Sequence, residues 1–342
     1  MFAHELAAAG LRGRETEAAY AACGRYLRRR NSAAFPVVRF LLPPGKRPYY
    51  DAVLAFRGYA DAVLDTRAHS LHERAERFDA LRHEALRRLD RGAAATAGTG
   101  AGPVTAEAVL ICRALAHTVR TWDMDPEGIR RFLRTLRSDQ DTCAYATFED
   151  LELHLRSVSG DMSIEVNTLL EPVDDEATVK AVALGYGVSM LEFLDDIAED
   201  AALGRVYLPL ADLERHGLSR DDLATAAARQ QMTPPLKEAV RFEADRVRRF
   251  FRLADGWHRH VHPSGQELPR QCLELGRTVL SELIRDDYDI FRRRRSTRLL
   301  SAARAGGTTA CSYLRTLRHR RVHPHRIPRT PAQRTGGNGR RA

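Results

Sequence analysis

Cysteine is the first scarcity. Five are scattered along 342 residues (Cys23, Cys112, Cys143, Cys272 and Cys311), an odd number with no CxxC pair. That excludes a disulfide frame or a Cys-based zinc site and fits reduced thiols in a cytoplasmic protein. Aromatic residues make up only 7% of a chain that is 44% hydrophobic, so aliphatic side chains must fill most of the core. Strand-type alternation is scarce while Ala and Arg abound, which predicts an all-α protein. No apolar run approaches the length of a membrane span. The first residues, MFAHELAAAGLRGRE, contain no basic segment followed by an apolar core, so no signal peptide is expected.

Acidic residues are missing from the end of the chain. The net charge is +9, yet fifteen of the 54 Lys and Arg and none of the 45 Asp and Glu lie at or beyond Ile290. Upstream of that point acids outnumber bases, and no basic face carries interleaved aromatics, so a nucleic-acid partner is not expected. Residues 306–342 read as a basic tail without a packed core. Its role is either solubilising or a peripheral contact with anionic lipid.

What is present is a pair of acidic motifs. Gly185–Pro209 reads GYGVSMLEFLDDIAEDAALGRVYLP. Asp196 and Asp200 stand four apart on a helical pattern, on one face and one turn apart, with Glu192 a turn earlier. Like charges at this spacing repel, and a bound cation removes the repulsion. Oxygen-only ligands favour Mg²⁺, which bridges one or two carboxylates to a substrate phosphate. A solvated acidic helix face shows the same spacing. The second copy changes the weighing: YADAVLD at Tyr59–Asp65 repeats it with Asp61 and Asp65. Two such helices facing each other across a cavity would hold a diphosphate bridged by Mg²⁺.

The periodicity predicts helices over Met1–Arg30, Arg47–Ala68, Ser70–Arg91, Thr105–Thr121, Gly128–Arg137, a start at Thr147, Ala177–Ala202, Leu218–Gln231, Thr233–Ala254 and Leu268–Arg294. Gly92–Pro103 is a low-complexity loop. Asp174-Asp175-Glu176 reads as an acidic helix cap. His258, His260 and His262 read as loop histidines, not as a metal site.

The segment LEFLDDIAEDAALGRVYLPLADLERHGLS resembles the second aspartate motif of squalene and phytoene synthases. FPVVRFLLPPGKRPYYDAVLAFRGYADAVLD resembles the first, YATFEDLELHLRSVSG the central helix and YDIFRRRRSTR the C-terminal helix. These four run in the family's order from about Asn31 to about Ala305. The resemblance implies one isoprenoid synthase domain over 1–305, an all-α bundle around a central cavity with both acidic motifs at its mouth. It implies Mg²⁺ at Asp61, Asp65, Asp196, Asp200 and Glu192, and an allylic prenyl diphosphate as substrate. Arg205 and Tyr207 correspond to residues near the diphosphate. Tyr207 packing beside Pro209 is the structural alternative. His154 stands where the family has a tyrosine that assists coupling; a core histidine is the alternative.

The departures are as informative. The family's arginine beside the first motif is Gly58, with Arg57 next to it as a substitute diphosphate ligand or a partner for Asp61. Ala62 replaces a second aspartate, Leu54 a tyrosine, and Ser32-Ala33-Ala34-Phe35 a Ser-x-Ser-Phe. Ser189 and Glu192 replace a glutamine and an asparagine, and Asp195 an arginine. Fewer donors and more negative charge suit one diphosphate rather than two. The expectation is therefore transfer to a non-isoprenoid, aromatic small-molecule acceptor, with Ser189 among the substrate contacts and His154 or Glu192 as base. The alternatives are head-to-head squalene or phytoene synthesis, a class I terpene cyclase, and a non-catalytic protein that kept the fold.

Overall fold

The structure, a computed structural model, describes residues 2–30, 39–66, 68–91, 104–139 and 144–292. Gly92–Pro103, Ser32-Ala33-Ala34-Phe35 and the basic tail lie outside the described residues. Within them the chain is all-α, and strand-like pairing is limited to two isolated bridges, Ala144 with Val206 and Pro172 with Val261. It divides into two compact units, the first reaching Leu133 and the second starting at Arg134.

The first unit holds α1 (Phe2–Ala8), α2 (Arg14–Arg30), α3 (Arg47–Asp65), α4 (Leu71–Arg91), α5 (Ala106–Thr121) and the start of α6 (Glu127–Ser138). The single helix expected over Met1–Arg30 is two, because Gly10 and Gly13 take φ of 70° and 100° between them. Ser70 and Thr105 start α4 and α5 as side-chain caps, accepting from the N–H groups of Glu73 and Ala108. α3 packs on α2 and α5 through Ala52, Val53, Ala55, Phe56 and Ala60, all fully buried.

Beneath the start of α3 lies a buried charge network. Arg39 Nε donates to both oxygens of Asp51 at 3.0 Å, and its other nitrogens reach Glu5 at 2.6 and 3.2 Å. Arg47 donates to Glu5 at 2.8 Å and to the Leu42 carbonyl at 2.9 Å. Burial pushes the Asp51 carboxyl up to about 7 against the pull of Arg39. Burial also acts on Glu5, but its bonds to Arg39 and Arg47 outweigh it and hold that carboxyl low. Removing one member of such a network costs about 3–5 kcal/mol, because its partner keeps a buried, uncompensated charge.

The second unit holds the rest of α6, then α7 (Phe148–Leu155), a π-helical turn (Arg156–Gly160), α8 (Asp161–Leu169), α9 (Glu176–Asp195), α10 (Ile197–Ala202), α11 (Leu210–Arg215), α12 (Arg220–Arg229), α13 (Pro234–Leu253) and α14 (Glu267–Arg285). Thr147 and Ser219 open α7 and α12 with reciprocal capping boxes to Asp150 and Asp222. α9 is the centre of the unit. A Cβ on Gly187 would come 2.6 Å from the Phe251 ring, and one on Gly276 of α14 also 2.6 Å. The two glycines form the slot in which the Phe251 ring sits.

Glu176–Asp195 has a mean hydropathy of 1.3 and is long and apolar enough to cross a membrane by length and composition, with half of it buried in the unit. This corrects the expectation that no apolar stretch reaches that length: Gly, Ser and Lys180 interrupt the run in sequence but do not lower its average enough. α14 stops at Arg285, short of the Arg294 expected, where Asp287 and Tyr288 turn the backbone with φ of 58° and 61°. His258 and His260 lie on one 3₁₀ turn, and His262 caps the next. His260 Nδ1 is 2.8 Å from Asp174, and His262 Nδ1 is 2.8 Å from Ser264 Oγ. Asp174 also caps α9 by accepting from Ala177 N–H at 3.2 Å.

Candidate active site

The helix expected over Ala177–Ala202 is interrupted at its most acidic point. α9 ends at Asp195, Asp196 takes φ −102° and ψ 7°, and α10 begins at Ile197. Aspartate is a weak interior helix former, and the carboxylates of Glu192, Asp195, Asp196, Glu199 and Asp200 repel one another along this stretch. The turn itself survives: Asp196 N–H donates to the Glu192 carbonyl at 2.9 Å, and Asp200 N–H to the Asp196 carbonyl at 2.8 Å. Asp196 and Asp200 therefore remain one turn apart, both half-buried, while Glu192 is exposed and Ser189 half-buried.

α10 then closes in a Schellman motif. Gly204 takes φ +72°, its N–H donates to the Ala201 carbonyl at 3.0 Å, and Arg205 N–H donates to the Asp200 carbonyl at 2.8 Å. Backbone geometry thus ties Arg205 to the turn that carries Asp200. The next residue, Val206, bridges Ala144, and Leu210 and Ala211 donate to the carbonyls of Tyr145 and Ala146 at 2.9 and 3.0 Å. That pairing lays Tyr145 beside Tyr207.

Four rings meet there. Tyr207 stacks on Phe193 with centroids 4.3 Å apart and planes at 6°, and on Tyr145 at 6.0 Å and 28°. His154 completes the group, 5.7 Å from Tyr207, 5.3 Å from Tyr145 and 6.2 Å from Phe193. The histidine is 7% exposed. Its Nδ1 lies 2.9 Å from Asp139 Oδ2, an ion-pair distance whose angle falls short of a hydrogen bond. Tyr145 O–H donates to Asp139 Oδ1 at 3.3 Å. Burial, and next the Asp139 charge, push the Tyr145 hydroxyl well above its ordinary pKa. Asp139, Tyr145 and Phe193 escape the sequence reading. Asp139 lies fifteen residues before His154, beyond any helical period that would connect them. The π turn that follows α7 is a feature found often at functional sites.

In the first unit, Asp61 and Asp65 stand on the final turns of α3, Asp61 half-buried and Asp65 exposed. An Arg30 guanidinium nitrogen is 3.5 Å from Asp61 Oδ2. Arg57 is only 5% exposed, and its guanidinium lies over the Phe132 ring, 4.4 Å from the centroid. Tyr26 O–H donates to the Gly58 carbonyl at 2.6 Å, and a Cβ on Gly58 would meet Tyr26 at 3.7 Å. The tyrosine therefore covers the position where the resemblance leads one to expect an arginine.

Among the described residues no group of three His, Cys, Asp or Glu forms a cation site by itself. Each motif is a pair of carboxylates one turn apart. This donor set fits Mg²⁺, which keeps waters and takes one or two carboxylates together with substrate phosphate oxygens.

The family model for squalene/phytoene synthase matches residues 28–333. The chain is 28% identical over 194 residues to the phytoene synthase of Arthrospira platensis, covering 53% of this chain and 62% of that protein. It is 27% identical over 292 residues to the 15-cis-phytoene synthase of Synechocystis, covering 81% of this chain and 80% of that one. Among solved structures, the squalene synthase HpnC from Alicyclobacillus acidocaldarius superposes with a TM-score of 0.68 at 26% identity, over 82% of this chain and 98% of that one. With an aspartate pair one turn apart in each unit and a family match over most of its length, the chain belongs to the squalene/phytoene synthase family of prenyltransferases.

Proposed function

We propose that this protein ionises allylic prenyl diphosphates and joins two of them head to head; its relatives are named as synthases of phytoene and of squalene, which supports the reading. The observation that carries the reading is the turn Asp196–Arg205, where two carboxylates and a guanidinium are tied together by backbone hydrogen bonds. Asp61 and Asp65 form a carboxylate pair of the same spacing in the first unit. Bound Mg²⁺ at these carboxylates would neutralise the diphosphate and make it a better leaving group. Arg205 and the Tyr207 hydroxyl donate toward the negative charge that grows as the C–O bond breaks and the electron pair leaves with the diphosphate. The stack of Phe193, Tyr207 and Tyr145 offers the resulting cation a non-nucleophilic wall that excludes water. His154, with Nδ1 against Asp139, keeps its second ring nitrogen as an acceptor for the proton lost when the new C–C bond forms.

This reading replaces the expected aromatic acceptor as the leading one, because the relatives are named as synthases of phytoene and squalene. Transfer to an uncharged acceptor keeps one supporting observation: Glu192 and Asp195 add negative charge beside the second motif, and Tyr26 occupies the place over Gly58. The test offers C10, C15 and C20 allylic diphosphates singly with Mg²⁺ and measures pyrophosphate release and extractable products. A C30 or C40 hydrocarbon supports head-to-head coupling. Pyrophosphate release that requires an added phenol or indole, with a prenylated ring as product, overturns it in favour of the second reading. Cyclised hydrocarbon from one donor overturns both.

A further inference from the structure

The first unit contains a cavity that no part of the proposed chemistry uses. It lies between α2 and α5, and its lining includes Glu15, Thr16, Tyr20, Arg113, His117 and Arg120. Its volume is about 60 Å³. At roughly 10–15 Å³ per water-sized position, this is room for about four to six oxygen atoms, enough for the four of one tetrahedral oxyanion.

The lining is rich in donors. Arg120 is half-buried, and among the described residues its guanidinium makes one hydrogen bond, to the Arg88 carbonyl at 3.3 Å, and no ion pair with a carboxylate. A guanidinium carries five N–H donors, so most of this one's capacity is unused by the protein. Arg113, 25% exposed, pairs with Glu15 at 2.9 Å, but that glutamate is 80% exposed and its charge is largely screened by water. Thr118 Oγ1 donates to the Ala114 carbonyl at 2.9 Å, so Tyr20 O–H donates to Thr118 Oγ1 at 2.9 Å and His117 Nδ1–H donates to the Tyr20 oxygen at 2.9 Å, which leaves Nε2 to donate to an anion when the ring is protonated. Burial, then the Arg120 charge, hold the imidazole below its ordinary pKa. Burial and the Arg88 charge lower Arg120 in turn, with Tyr20 opposing. Burial is the larger cause of both shifts, and a bound anion would oppose each by favouring the cationic form.

We propose that this cavity is a phosphoryl-oxyanion site, with Arg120 as its principal ligand, Arg113 and the His117 imidazole completing the contact, and Thr16 at the wall. Orthophosphate and pyrophosphate share the recognised chemistry, and the experiment separates them. Neither the residues nor the argument involves the acid motifs, so the proposal stands if the proposed reaction fails.

The experiment is calorimetric titration of the full chain with orthophosphate and with pyrophosphate, in EDTA and at constant ionic strength set by KCl. The expected result is saturable binding of one anion per chain. Arg120→Gln should weaken it about tenfold or more, the loss of charge-assisted hydrogen bonds, while Arg205→Gln leaves it intact. Binding of orthophosphate assigns the site to a single phosphoryl group; binding of pyrophosphate alone, an anion of seven oxygens too large for the cavity, overturns the proposal. No saturable binding by either anion overturns the proposal. So does equal affinity in Arg120→Gln, or loss only in Arg205→Gln, which would put the anion at the second aspartate motif. Circular dichroism checks that Arg120→Gln folds. Should it not, Arg113→Gln, which removes only a half-exposed ion pair, replaces it under the same criteria.

Discussion

Asp61 and Asp65 sit at the end of an unbroken α-helix, whereas Asp196 and Asp200 straddle a helix break. The spacing is the same and the construction differs. The first pair is carried by a helix whose base is fixed by buried Arg–carboxylate contacts and whose end is open to solvent, with Arg30 beside it. The second pair is held by a two-step turn: a bend at Asp196, then a glycine closure that delivers Arg205 and Tyr207. One spacing in sequence thus yields a pair on a continuous ladder in one unit. In the other it yields a turn that also recruits a cation and an aromatic cluster.

The largest test of this contrast removes one charge from each pair. Asp196→Asn and Asp61→Asn should each lower pyrophosphate release from an allylic diphosphate by about a hundredfold or more, the scale of losing a key electrostatic group. Wild-type rates in both variants would mean that neither pair is catalytic. A deficit confined to one would break the proposed equivalence.

Next comes the group that exists only in the second unit. Asp139→Asn should lower the rate about ten- to a hundredfold, as removal of an orienting partner does, with the melting temperature little changed. It should add almost nothing to His154→Gln, because both act through one imidazole. Fully multiplicative losses would show that Asp139 does not work through His154.

Gly187→Ala tests whether α9 is held by close packing. The new methyl would meet Phe251, whose ring already rests on Gly276, and the expected loss is about 1–3 kcal/mol in chemical denaturation. Phe251→Leu in the same chain should recover part of it. An unchanged midpoint would show that the slot yields.

The smallest effect is expected at the closure of the second motif. Gly204→Ala puts a Cβ on a residue at φ +72° with no neighbouring atom within 4 Å, so the cost is backbone strain alone, about 1 kcal/mol. Loosening of Arg205 should raise KM for the diphosphate more than it lowers kcat. An unchanged KM would show that Arg205 is placed by something other than the turn.

Much of this was legible before any coordinates. Helix starts are written in local chemistry: Thr147, read as a helix start, opens α7 with a capping box, and Thr105 and Ser219, each placed inside its helix by the periodicity, are the caps of α5 and α12. The acid pairs are local too, since a four-residue spacing on a helix decides the face. The breaks were harder. Met1–Arg30 and Ala177–Ala202 each keep their apolar period through the interruption, and only backbone angles at Gly10, Gly13 and Asp196 reveal it.

The sequence by itself determined the all-α class, the one-turn spacing of each carboxylate pair and the family, because these depend on residue type and spacing over a few turns. Tertiary structure alone decided the partners. Asp139 reaches His154, Phe193 stacks on Tyr207, Arg57 turns inward over Phe132, and Arg120 faces a cavity instead of a carboxylate. Each pairing joins residues from different elements, and no period in the sequence connects them. Burial and packing choose such partners only when the helices meet, so they can be read only from the folded chain.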